Sequence, residues 1–111
     1  MSKRSNKILL DDIKESCEKI FSYTYGYSYD QFESDSKTID AVIRNFEIIG
    51  EAANRLSEDL KDKYPEIDWH KIRGFRNRIV HDYAGVDLEI VWKIINDYLP
   101  NVLTEIKKID S

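Results

Sequence analysis

The chain has 111 residues, enough for one domain and too few for two. Leu, Ile, Val and Phe number 31, above the roughly 20% floor below which charged chains stay disordered, so a small core is expected. No apolar run exceeds three residues, as in Ile8-Leu9-Leu10, which excludes a membrane span of about 20 residues. The start, MSKRSNKILLDDIK, turns acidic before an apolar stretch develops, so a secretory signal is not expected. A single cysteine, Cys17, cannot form an internal disulfide, and a reducing cytoplasm is the expected compartment. The net charge of −4 argues against broad phosphate-driven binding to DNA but leaves room for a local basic site.

Only four glycines and two prolines favour long helices. The first runs from about Lys7 to Phe21, with Leu9, Ile13, Cys17, Ile20 and Phe21 at helical spacing. Cys17 sits in this stripe and reads as a small core residue rather than a nucleophile. The helix runs out in SYTYGYSYD, where tyrosines 23, 25, 27 and 29 either stack on bases or, more in keeping with their setting, pack the loop onto the bundle. A second helix is expected over Ser36–Leu60, with Ser34 to Ser36 offering cap side chains. Ile48 lies opposite the main stripe of that helix and hints at a second buried face.

The third helix starts near Asp68 and carries Trp69, Ile72, Phe75, Ile79, Val80 and Tyr83, with a stop expected at Ala84-Gly85. Asp87 caps the fourth, whose stripe runs from Leu88 to Ile106, and Pro100 should kink or interrupt it. Four amphipathic helices with short connectors imply an all-α fold, an antiparallel four-helix bundle forming a single domain over residues 1–111.

Residues 69–81, WHKIRGFRNRIVH, hold four basic residues, both histidines and no acid. At about 100° per residue from Trp69, the apolar residues fall between roughly 240° and 20°. Lys71 and Arg78 fall near 200° and 180°, facing solvent, whereas Arg76 falls near 340°, inside the apolar arc. Asn77 and His81 share one rim, four residues apart. An arginine so placed is either a structural ion pair, with Glu47 or Glu51 as the carboxylate, or part of an anion site open to a cleft. His70 and His81 are eleven residues apart, about 16 Å, too far to hold one metal ion. No Cys/His cluster has ligand spacing, so no metal or other cofactor is expected. Arg, Asn, His and Tyr without a metal suit cleavage of RNA through its own 2′-hydroxyl: His81 moves a proton and Arg76 stabilises the crowded phosphorane.

The string Arg76-Asn77-x3-His81-x-Tyr83 resembles the R-x4-H-x-Y signature of the HEPN superfamily, and most closely the HepT-like toxins paired with a minimal nucleotidyltransferase antitoxin (MntA). IGEAANRLS at 49–57, YPEIDW at 64–69 and DYAGVDLEIVWKII at 82–95 share the likeness, which extends over about residues 6–109. The resemblance implies a HEPN-type helical bundle that forms a homodimer, with the two motifs facing across a cleft. It implies a metal-independent endoribonuclease, the toxin of a type VII-like toxin–antitoxin pair. Arg76 and His81 match the catalytic pair, Asn77 matches the supporting polar residue, and Tyr83 matches the tyrosine that the partner enzyme modifies with AMP. Arg73, in the same basic stretch, is a further candidate RNA contact. Arg76 and His81 lie about 140° apart on one helix, and a two-fold axis would let both chains contribute to one site. Expected partners are RNA, an MntA-like antitoxin and a second copy, with neither membrane nor DNA. An alternative of a different class is a non-catalytic subunit that binds a nucleotide or holds a nucleotidyltransferase.

Overall fold

A computed structural model describes residues 5–80 and 87–109, and over 76–80 the backbone alone. All regular secondary structure among the described residues is helical: α1 (Asn6–Thr24), α2 (Tyr29–Glu33), α3 (Ser36–Arg55), α4 (Glu58–Lys63), α5 (Trp69–Val80), α6 (Leu88–Lys93), a π-helical turn (Ile94–Tyr98) and α7 (Leu99–Lys107). The expected four-helix bundle is present, built from α1, α3, α5 and the composite α6–π–α7.

Short polar side chains set the helix starts. Ser5, Asp35 and Ser57 accept amide hydrogens at the openings of α1, α3 and α4. Asp68 Oδ1 accepts the Lys71 amide of α5 at 2.9 Å, and Asp87 Oδ1 accepts the Glu89 amide of α6 at 3.0 Å. Asp35 also takes hydrogen bonds from the Thr38 hydroxyl, the Tyr27 hydroxyl and the Thr38 amide, which together hold its carboxyl below the ordinary carboxylate range.

The apolar stripes meet in one core of Leu10, Ile13, Ile20, Phe46, Ile49 and Leu99, with their neighbours at the same depth. Cys17 lies fully inside it, and burial, with a smaller contribution from Glu18, pushes its thiol up to about 12. Such a thiol carries almost no thiolate near neutral pH, as expected of a core residue. The α1–α3 pair is antiparallel: Asn6 at the start of α1 donates to Ser57 Oγ at 2.9 Å and accepts the Ser57 amide at 3.1 Å. Across the centre, Phe46 of α3 and Phe75 of α5 meet edge to face, 5.9 Å between ring centres. The Lys107 ammonium at the end of α7 reaches Glu18 of α1 at 3.7 Å.

Two elements depart from the sequence expectation. The helix expected over Ser36–Leu60 is two helices, because Leu56 takes an extended ψ of 144° and Ser57 starts a new one. The Ser57 amide goes to Asn6 rather than up its own helix, and its hydroxyl accepts the Leu60 amide. Leu56 and Leu60 remain buried on either side of the break, so the apolar stripe alone conceals it. The tyrosine-rich connector contains α2, opened by a reciprocal Ser28–Gln31 capping box after Gly26 at φ +75°. Its Phe32 is fully buried and stacks on Trp92, with ring centres 5.1 Å apart. Tyr27 donates to Asp35 at 2.7 Å and Tyr29 sets its edge on Trp92, whereas Tyr25 stays 88% exposed. Ile48 is half-buried in a shallow depression between α1 and α3.

The interruption expected at Pro100 is observed. Leu99 donates its amide to Ile94, five residues back, and Pro100 sits in the first turn of α7, where it lacks only a spare donor. The expected stop at Ala84-Gly85 lies outside the described residues.

Gly74 stands in the middle of α5, where a Cβ would meet nothing within 4 Å. Glycine in a helix interior costs roughly 0.5–1 kcal/mol relative to alanine. Gly74→Ala is therefore expected to raise the urea-unfolding free energy by about that amount. A loss of stability on that substitution would contradict the open space described around residue 74.

Candidate nucleic-acid interface

The site is built on α5, and burial fixes how that helix is turned. Ile72 and Phe75, at roughly 300° and 240° on the helical wheel, are each 2% exposed. They face α3, as the sequence periodicity requires. Trp69, at zero, is half-buried and donates its indole N–H to the Tyr64 carbonyl at 3.2 Å, which fixes the ring. The opposite arc, from about 40° to 140°, carries Arg73, His70 and Gly74. Arg73 and His70 are exposed.

These two side chains touch. Arg73 Nη2 lies 3.3 Å from His70 Nδ1. A guanidinium has donors only, so in a hydrogen bond between the two Nδ1 is the acceptor. The pair thus places a guanidinium and an imidazole on the same side of α5. Among the described residues no carboxylate pairs with Arg73. Next to the pair, a cleft of about 340 Å³ opens between α4 and the first turn of α5, walled by Trp69, Lys61, Glu58 and Asp62. Lys61 holds Glu58 at 3.7 Å.

The other flank of α5 differs in character. Lys71, expected to face solvent, folds back so that its ammonium lies 3.5 Å from the centre of the Tyr98 ring. Glu66, Asp68, Asp97 and Glu105 rim a groove of about 320 Å³ around it, over a floor of Ile67 and Phe75. Polyanions are disfavoured there, whereas on the other flank Lys61 and Arg73 offset Glu58 and Asp62.

Of the sequence-predicted site residues, Arg73 is described in full and stands exposed on α5. Arg76 and Asn77 lie in the same helix, about 4.5 Å and 6 Å further along its axis than Arg73. Their side chains are outside the described residues, and so is any ion pair of Arg76 with Glu47 or Glu51. Glu51 comes within 3.5 Å of Arg55. His81 and Tyr83 lie outside the described residues altogether. The His70–Arg73 contact was readable as an i,i+3 pair, but the cleft beside it was not, because its far wall belongs to the unforeseen α4. Among the described residues, no group of three His, Cys, Asp or Glu side chains is placed to hold a metal ion. Nor is any described helix long and apolar enough to cross a membrane.

Comparison with known proteins sets this helix in a family. The family model described as "Ribonuclease HepT-like" matches residues 13–109, which includes the whole of α5 and the motif that follows it. An RNase-named protein of Methanocaldococcus jannaschii, MJ0127, is 38% identical over 109 residues, covering 98% of this chain and 90% of its own length. A protein of Thermococcus cleftensis whose name gives it as a ribonuclease HepT is 38% identical over 107 residues, covering 96% of this chain and 97% of its own. An RNase-named protein of Caldanaerobacter subterraneus, TTE0752, is 32% identical over 100 residues, covering 90% of this chain and 89% of its own. No solved structure matches the chain. The extent of the family match and the end-to-end similarity to these relatives lead to one conclusion: this chain belongs to the HepT-like ribonuclease family.

Proposed function

We propose that the chain is a metal-independent endoribonuclease acting in the cytoplasm as the toxin of a toxin–antitoxin pair, with Arg76 and His81 as its catalytic residues. The observation that carries this reading is the family match, which extends over the Arg76-Asn77-x3-His81-x-Tyr83 motif. The helix bearing Arg76 and Asn77 itself carries no acidic residue, and its Arg73 is exposed.

The chemistry needs no cofactor. His81 takes the proton from a ribose 2′-hydroxyl as that oxygen bonds to the adjacent phosphorus. The bond to the 5′-oxygen breaks, and that oxygen gains a proton from an imidazolium, leaving a 2′,3′-cyclic phosphate and a 5′-hydroxyl. Arg76 stabilises the extra negative charge on the five-coordinate phosphorus through its forked donors. Asn77 and Arg73 hold the strand on either side of the reacting group. Since Arg76 and His81 stand about 140° apart around one helix, a homodimer with both copies contributing to the cleft accounts best for their joint action.

Control would come from an MntA-like nucleotidyltransferase acting on Tyr83. The phenolic oxygen bonds to the α-phosphorus of ATP, pyrophosphate leaves, and the phenolic proton passes to solvent. The added AMP puts a negative phosphate two residues from His81 and competes with RNA by charge and bulk.

Purified protein should therefore degrade RNA in the presence of EDTA and leave cyclic phosphate ends. Arg76→Ala and His81→Ala variants with unchanged circular dichroism should lose activity by about 10²–10⁴-fold, the usual range for a positioned proton-transfer group. Equal activity in wild type and His81→Ala would exclude catalysis by this imidazole. After co-expression with an adjacent nucleotidyltransferase gene, intact mass should rise by one or more AMP units and stay unmodified in Tyr83→Phe. A mass increase that survives Tyr83→Phe would place the modification elsewhere.

A further inference from the structure

The cleft beside the His70–Arg73 pair is not explained by the bundle. Its mouth is open, and although Ile67 and Trp69 join it to the core, most of its lining side chains are polar or charged. Its volume of about 340 Å³ is at the small end of the range of ligand pockets.

Three of its walls have different chemistry. On one side stand Arg73, whose guanidinium pairs with no carboxylate among the described residues, and His70, whose Nδ1 lies 3.3 Å from it. Both suit a phosphate group. At the back, Trp69 is an indole fixed by its bond to the Tyr64 carbonyl, a rigid aromatic surface against which a base can lie. Across the cleft stand two carboxylates. Lys61 engages Glu58, while Asp62 is exposed and pairs with no cation among the described residues. A carboxylate facing a bound nucleotide repels a carbonyl edge and accepts from an amino edge, as in the recognition of the cytosine N4 amino group.

We propose that this cleft is a nucleotide subsite for single-stranded RNA. The phosphate is held by Arg73 and His70, the base lies against Trp69, and Asp62 selects a base with an amino group. The subsite rests on the reading of RNA as the substrate and extends it to specificity. Arg73 is about 4.5 Å along the α5 axis from Arg76, so a strand held here runs on along the same helix toward the motif.

The test uses 5′-fluorescein-labelled 2′-O-methyl octamers of cytidine and of uridine, read by fluorescence anisotropy with the full chain. The two probes differ chiefly at position 4 of the base, an amino group against a carbonyl. Without a free 2′-hydroxyl they bind and are not cut. Failure of the subsite and failure of the nuclease reading are therefore seen separately. Wild type should bind the cytidine octamer about tenfold more tightly than the uridine octamer. Asp62→Asn should remove the preference. Arg73→Gln should weaken both probes about equally and flatten the dependence of binding on salt. His70→Gln should weaken both in the same way. Equal binding of the two octamers by wild type, a preference that survives Asp62→Asn, or unaltered binding by Arg73→Gln would each overturn the proposal.

Discussion

The contact between Phe46 and Phe75, with Ile72 beside it, determines how α5 lies in this molecule. A helix of twelve residues has little stability of its own in water and takes its orientation from the face it buries. Over residues 69–75, whose side chains are described, the buried positions Ile72 and Phe75 sit at one side. Once Ile72 and Phe75 are against α3, Arg73, His70 and Gly74 turn outward, and Lys71 lies toward α7. The two flanks of one helix thereby become separate surfaces. Loss of the aromatic contact would free the helix to rotate and merge them.

Charge is sorted along the same line. The chain as a whole is acidic, yet residues 69–81 contain no acid. On the Lys71 flank four carboxylates rim a groove, and the lysine ammonium is engaged by the Tyr98 ring. On the opposite flank Arg73 meets His70 and pairs with no carboxylate among the described residues, with Glu58, held by Lys61, and Asp62 across the cleft. A polyanion approaching this surface is attracted over a small area and repelled around it. That arrangement reconciles a net negative protein with a substrate that is itself negative: contact is confined to a strip, and its strength should depend on few phosphates.

Much of this was legible in the sequence, for identifiable reasons. The stripes of α1, α3 and α5 are regular, and the caps Asp68 and Asp87 sit just ahead of them, so those helices and their inner faces could be read directly. Pro100 announced a fault in the last helix, though not that the fault would be a π turn upstream of the ring. The break at Ser57 was hidden because Leu56 and Leu60 keep helical spacing, and the amide that breaks the run is taken by Asn6, 51 residues away. Helix α2 was hidden by its length of five residues, although Ser28 and Gln31 carried its capping signature. The candidate site follows the same division. Arg76, Asn77, His81 and Tyr83 are named by the likeness of their motif, and their side chains lie outside the described residues. The cleft next to Arg73 was not legible, because it exists only where α4 comes alongside α5.

The central claim is that one flank of α5, and not the other, meets RNA. Amide chemical shifts of ¹⁵N-labelled protein, followed during titration with a 2′-O-methyl cytidine octamer, test it most directly. The account predicts movements concentrated at His70, Arg73 and Gly74 and at Asp62 across the cleft, with Asp97, Tyr98 and Glu105 unmoved. Shifts centred on the Tyr98 groove, with the His70–Arg73 flank unchanged, would contradict it.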